Sequence, residues 1–234
     1  MTDTTRTPDP GWDGLYQAGA VSAGIATALY VIGLVLVVAT EAPPTDPTGA
    51  EMLAYVDEHR TLYYIKQLLW LVPSLPLMIV CLALAVAGWQ QSRSLALVAG
   101  TVSVSAWAGS YAWLTSGEGS LAMPRLVDGY FDATTDLERA PFVAGAETLL
   151  AINDMATPIG VLQTVGILLL GLLMLRGAFP RPLGWFTVGT GAIGIVAEAF
   201  RIQLGWAYAV YGILFFVWLI WVAGALWRFG KTGP

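Results

Sequence analysis

The sequence predicts an all-α polytopic membrane protein, a six-transmembrane-helix bundle, and three observations lead to this fold class. Of the 234 residues, 56% are hydrophobic and only 12% are charged, whereas soluble domains carry about 25% charged residues. The charged residues lie between mostly apolar runs of about 20 residues, the length that a helix needs to cross about 30 Å of hydrocarbon. Helices are expected because backbone N–H and C=O groups within lipid must be paired inside the protein.

Six segments have this length and together define a membrane domain at residues 18–229. The predicted spans are Ala18–Thr40, Leu68–Trp89, Leu95–Leu114, Ala156–Leu175, Leu183–Phe200 and Trp206–Trp227. The first run exceeds the roughly 7–15 apolar residues of a secretory signal, so we expect it to be retained as a helix. Residues 1–17 are predicted to be a disordered N-terminus, and residues 230–234 a short C-terminal tail. The fifth span is rich in glycine, which predicts close packing against a neighbouring helix.

Two long connections, Glu41–Gln67 and Thr115–Met155, fall on one side of a six-span bundle. Each is predicted to contain a short amphipathic helix. Thr48 and Glu51 have the spacing of a helix-capping box, and residues 142–150 place apolar side chains at helical spacing.

Basic residues indicate the orientation of the bundle. On the side of the termini, most of them lie in short connections close to helix ends, where the positive-inside bias acts; examples are Arg93, Arg176 and Arg181. We therefore expect both termini, including the disordered N-terminus, in the cytoplasm and both long connections outside. The predicted location is the cell membrane, as a multi-pass protein.

Polar residues at the fourth and fifth spans form the candidate site. Asp154, Glu198 and Arg201 are predicted to lie at one external membrane boundary, beside Asn153 and Glu147. Charges inside a membrane are costly and often functional. Burial raises a carboxyl pKa, which makes Asp154 and Glu198 candidate catalytic proton donors. The alternative is an interfacial ion pair, because Glu198 and Arg201 are three residues apart and share a helix face.

Aromatic residues cluster at the same predicted boundary and include Tyr111, Trp113 and Trp206. An aromatic belt at headgroup depth accounts for them. The alternative is an aromatic-walled pocket for a lipid or isoprenoid. Together with Arg201, Asn153 and Glu147, these three residues are the candidate ligand-binding set.

Other functional classes are disfavoured by composition. The net charge of −5 argues against a nucleic-acid partner, since phosphate binding needs clustered Lys and Arg. A single cysteine, Cys81, and a single histidine, His59, predict no metal site and no cofactor. P-loop, Rossmann, HExxH and GxSxG signatures are absent.

A family resemblance emerges from the run Val165–Arg176, the turn Phe179–Trp185, and the stretch Met52–Arg60 that leads into Leu68–Gly88 and then Ser92–Leu97. Together they resemble the DUF4386 family of bacterial polytopic membrane proteins of unknown function. The resemblance extends from about the first span to Trp227. It implies a six-helix protein of the bacterial inner membrane, and it implies no catalytic residues.

Three functional hypotheses follow, and the missing catalytic signatures favour the first. It is a non-enzymatic membrane protein: an accessory subunit, a sensor, or a binder of a lipid or small ligand. The second is a membrane enzyme acting on a lipophilic substrate by acid chemistry at Asp154 or Glu198. The third is a small transporter, to which Pro73, Pro76 and Pro158 would contribute helix breaks. The expected partners are the bilayer, a lipophilic small molecule or another membrane subunit.

Overall fold

A computed structural model describes residues 10–113, 115–116, 119–153 and 158–231. Most of these residues are helical, and the all-α prediction is confirmed. The α-helices are α1 (Asp13–Ala39), α2 (Gly49–Glu58), α3 (Arg60–Leu71), α4 (Ser74–Ala87), α5 (Arg93–Trp113), α6 (Met123–Asp132), α7 (Asp136–Asn153), α8 (Pro158–Met174), α9 (Arg181–Ala199), α10 (Arg201–Leu204) and α11 (Tyr208–Phe229). Strands β1 (Thr115–Ser116) and β2 (Gly119–Ser120) pair antiparallel, and 3-10 turns occupy Pro10–Trp12 and Gly205–Ala207.

Five helical stretches of the described chain are long and apolar enough to cross a membrane. They are Asp13–Ala39, Arg60–Ala87, Arg93–Ala112, Arg201–Phe229 and Asp136–Met174, the last of which includes residues 154–157, outside the described part of the chain. These stretches are compatible with a multi-pass membrane protein. They include five of the six predicted spans. The predicted span Leu183–Phe200 does form a helix, α9, but its glycines and threonines and the charges at its ends keep its hydropathy below that of the other five.

The chain divides into two compact units. The first unit comprises Met1–Ala28, Pro73–Ser110 and Ala156–Pro234, and the second comprises Leu29–Val72 and Tyr111–Met155. In the first unit, α9 packs along α8. The backbones approach closely at Gly191, where an added Cβ would lie 2.5 Å from the Leu168 amide nitrogen. Glycine at this position therefore allows the contact between the two helices, as predicted from the glycine-rich sequence.

The second unit contains a small core between α2, α6 and α7. Its fully buried members include Leu53, Val56, Met123 and Val127. The predicted capping box at the start of α2 is present: the Glu51 amide donates to the Thr48 hydroxyl, and the Thr48 amide donates to the Glu51 carboxylate. The apolar face that follows this cap supplies the α2 side of the core.

Candidate functional site

Glu198 is a buried carboxylate at the C-terminal end of α9, with a relative exposure of 7%. The helix gives it no electrostatic support, because the partial charge at a helix C-terminus is negative. Among the described residues, its hydrogen-bond donor is the Tyr208 hydroxyl, at 2.6 Å from the Glu198 Oε1. A carboxylate buried in an apolar bundle is thus held by one neutral donor.

Arg201 does not pair with Glu198 in the structure, contrary to the ion pair considered from the sequence. That pairing needs a continuous helix, but α9 ends at Ala199 and a new turn, α10, begins at Arg201. The intervening Phe200 has φ −118° and ψ 27°, outside the α-helical region. The Arg201 guanidinium instead lies over the Tyr208 ring, with its Cζ 5.3 Å from the ring centroid.

Glu198, Arg201 and Tyr208 form what we call the Tyr208 cluster. The carboxylate contacts the hydroxyl edge of the ring, and the guanidinium contacts its face, a cation–π arrangement. Tyr208 reaches this position because the chain turns at Gly205, where φ is +50°, a value that favours glycine. Sequence reasoning missed the contact of Tyr208 with Glu198, which is ten residues away.

Aromatic side chains continue from the Tyr208 cluster along one face of α11. Tyr208 contacts Tyr211 at 5.9 Å between ring centroids, Tyr211 contacts Phe215 at 6.1 Å, and Phe215 stacks on Trp218 at 5.5 Å. Spacings of three and four residues place these rings on a common face. The Trp218 indole N–H donates to the Thr187 hydroxyl of α9 at 3.1 Å. The cluster therefore lies at the end of an aromatic seam between two helices.

The predicted position of three other acidic or polar residues beside Glu198 is not tested by the structure. Asp154 lies outside the described residues. Asn153 and Glu147 belong to α7 in the second unit, so their proximity to Glu198 stays a prediction. Asn153 is partly buried, and its Oδ1 has no hydrogen-bond partner among the described residues. Glu147 is exposed.

The predicted aromatic residues have separate environments. Trp206 is 87% exposed, which agrees with a lipid-facing belt and not with a pocket wall inside its unit. Tyr111, in the second unit, donates a hydrogen bond to the Val72 carbonyl at 3.1 Å. Trp113 is the last residue of α5.

Sequence reasoning missed a buried polar face on α3. Lys66 was placed outside the second span, but its helix already begins at Arg60, and its side chain is only 5% exposed. The Lys66 ammonium lies 3.5 Å from the Glu41 carbonyl oxygen. Beside it, the Tyr63 hydroxyl donates to the Ser120 carbonyl and accepts from the Ser120 amide. The spacing of Tyr63 and Lys66 was a usable signal, because residues three apart share a helix face.

Metal-binding side chains do not gather in the described part of the chain. Its His, Cys, Asp and Glu residues form no group of three with the proximity that a metal site requires. Cys81 is fully buried in α4.

Comparison with known proteins supplies no relative. No family model, curated protein or solved structure matches this chain. Membership of the DUF4386 family stays a prediction from the sequence.

Proposed function

We propose that the protein is a non-enzymatic, ligand-binding membrane protein that holds an amphipathic molecule, a lipid or similar lipophilic compound, at the Tyr208 cluster. The observation that carries the proposal is the burial of Glu198 with one hydroxyl donor among the described residues. Desolvating a carboxylate costs several kcal/mol, and a single hydrogen bond to a charged group returns only about 1.5–3 kcal/mol. A bound donor or cation at this position would offset the remaining cost.

The second charge of the cluster supports a polar ligand head. Arg201 is half-buried and forms no ion pair with any described carboxylate. Its guanidinium is held in place by stacking on Tyr208, so its N–H groups stay available for an anionic or carbonyl oxygen. A polar head with both donor and acceptor groups would match Glu198 and Arg201 together.

Apolar surface beside the cluster supports a lipophilic ligand body. Ile193 and Val196 on α9, and Phe200 directly after it, are exposed. On α11, Val210 and Ile213 are exposed as well. An acyl or isoprenoid chain could lie against these side chains while its head contacts the cluster.

The proposed setting is a six-span protein of the cell membrane, with α9 as the remaining span. The 19 residues of α9 would rise about 28 Å, close to the thickness of a hydrocarbon core. Its close packing on α8 also favours a position inside the bundle. With six spans, the basic residues Arg176, Arg181 and Arg228 then favour cytoplasmic termini. A bacterial inner membrane protein of the DUF4386 type has this organisation.

Native mass spectrometry of the purified protein tests the binding proposal. We expect bound lipid to be retained by the native protein and released roughly ten- to a hundredfold more readily from Glu198→Gln and Arg201→Gln, since each loses a charge-assisted contact. Glu58→Gln, which changes an exposed carboxylate on α2, is the matched control. Equal lipid retention by all four proteins would contradict the proposal. A second polypeptide that co-purifies stoichiometrically would favour an accessory subunit instead.

A second candidate is a membrane enzyme with Glu198 as the proton donor. The 2.6 Å hydrogen bond between Tyr208 and Glu198 favours it, because a short link between two ionisable groups can pass a proton. Asp154, the other predicted donor, lies outside the described residues. The same experiment separates the two functions: a binder releases its lipid chemically unchanged, whereas an enzyme converts lipid during incubation and loses this conversion in Glu198→Gln.

A further inference from the structure

A shallow, open groove on one face of α7, in the second unit, carries side chains of both charges. Its volume is about 310 Å³, and it is open to the surface along its length. The groove follows one helix face, because its α7 residues recur every three or four positions. We call it the α7 groove; its lining includes Tyr130, Asp136, Arg139, Val143, Ala144 and Glu147.

Arg139 offers an anion-binding group at one end of the α7 groove. Its guanidinium carbon lies 5.6 Å from the centre of the Tyr130 ring, so the ring orients the guanidinium. Its Nε is buried and has no acceptor among the described residues. Its ion pair with Asp136 is 3.6 Å long, and Asp136 is fully exposed, which makes the pair weak and replaceable. A ligand carboxylate could accept from the two Nη groups, which are the accessible part of this guanidinium.

Glu147 offers a cation-binding group at the other end. It is exposed, and no described residue forms a hydrogen bond or ion pair with it. Glu147 follows Arg139 by eight positions, which corresponds to about 12 Å along the helix axis. The groove floor between them is apolar, formed by Val143 and Ala144. Arg139, with Asp136 beside it, and Glu147 thus flank a short apolar surface.

We propose that the α7 groove binds a short peptide with free termini. The peptide carboxylate contacts Arg139, its ammonium group contacts Glu147, and small apolar side chains lie on Val143 and Ala144. An extended chain advances about 3.3–3.6 Å per residue, so roughly three residues bridge the distance. This site uses no residue of the Tyr208 cluster and is independent of the function proposed there.

Calorimetric titration of the purified full chain in detergent tests the ligand class. Trialanine with free termini is the probe; N-acetyl-trialanine and trialanine amide each lack one terminal charge. We expect saturable binding of free trialanine and at least tenfold weaker binding of either blocked peptide, because each loses a charge-assisted contact. Absence of binding by free trialanine at millimolar concentration, or equal binding of all three peptides, would overturn the proposal.

Substitutions assign each terminus to its residue. Arg139→Gln and Glu147→Gln should each weaken trialanine binding at least tenfold, whereas Arg125→Gln and Glu58→Gln, exposed residues outside the groove, should leave it unchanged. N-acetyl-trialanine, which has no ammonium group, should bind the native protein and Glu147→Gln equally. If Glu147→Gln bound N-acetyl-trialanine more weakly than the native protein does, Glu147 would be acting through the fold and not through the peptide ammonium group. That result would overturn its assigned role.

Discussion

Tyr208 connects the two charges of the candidate site without letting them meet. Its hydroxyl donates a hydrogen bond to the Glu198 carboxylate, and its ring face contacts the Arg201 guanidinium. Direct pairing would neutralise both charges within the protein. Separation by a shared aromatic ring leaves both groups able to contact a ligand, which is why this arrangement favours binding over a purely structural role.

Removal of the Tyr208 hydroxyl should destabilise the protein measurably. In Tyr208→Phe, the buried Glu198 carboxylate loses its donor, at an expected cost of about 1–3 kcal/mol. Thermal unfolding in detergent measures the effect. The double variant Glu198→Gln with Tyr208→Phe should lose less than the sum of the single changes, because the two groups interact. Tyr64→Phe, at an exposed tyrosine of α3, should stay within about 0.5 kcal/mol of the native protein.

The capping box of α2 predicts a loss of stability in acid. Hydrogen bonds from the Thr48 backbone and side chain hold the Glu51 pKa below its ordinary value of 4.5. The folded carboxyl therefore binds its proton more weakly than the unfolded one, so its contribution is complete above pH 4.5 and is lost as the pH falls through the lower, folded pKa. Denaturant titrations between pH 7 and pH 3 should show a smaller acid loss in Glu51→Gln. An identical pH profile for the two proteins would contradict this.

At the scale of elements, the contact between α8 and α9 depends on which glycines face the seam. Gly191 meets the α8 backbone, with an added Cβ only 2.5 Å from the Leu168 amide nitrogen, whereas an added Cβ at Gly189 meets nothing within 4 Å. Composition alone treats the glycines of α9 as equivalent. Their difference is a property of the packed pair of helices.

Alanine substitutions at these two glycines should have opposite effects. Gly191→Ala forces the helices apart and should destabilise the protein by about 1–3 kcal/mol. Gly189→Ala adds only helix propensity and should stabilise it by up to about 1 kcal/mol. Unfolding temperatures of the two variants in the same detergent make the comparison. Equal destabilisation by both changes would show that α9 does not pack on α8 through Gly191.

At the scale of the whole molecule, α9 decides the membrane topology. If α9 crosses the membrane, the connections at 176–180 and 201–205 lie on opposite sides and the number of spans is even. If it does not, those two connections lie on the same side. The proposed external location of the two long connections, Glu41–Gln67 and Thr115–Met155, depends on the positive-inside bias and, through the basic residues that follow α9, on this parity.

Reporter fusions test the parity directly. Alkaline phosphatase, active outside the cytoplasm, and a fluorescent protein that folds in the cytoplasm can each be fused after Gly177 and after Gln203. We expect the phosphatase to be active only after Gln203 and fluorescence only after Gly177, because basic residues on both sides of the first connection favour the cytoplasm. Fusions after Gln91, in the connection between α4 and α5, serve as the cytoplasmic control. The same reporter pattern at both test positions would show that α9 does not cross the membrane.

The sequence by itself determined the helical elements and their apolar character, because hydropathy, helical spacing and capping are properties of neighbouring residues. It predicted α1, α5 and α11 and the Thr48–Glu51 cap for this reason. Tertiary structure alone decided which distant groups meet.

The contact of Tyr208 with Glu198 required a chain turn at Gly205, and the stacking of Arg139 on Tyr130 required α6 to pack beside α7. Helix periodicity predicts which residues share a face within one helix, but it contains no information on the neighbouring helix that covers that face. A single break in a helix, such as the one at Phe200, is enough to separate residues that share a face in an ideal helix.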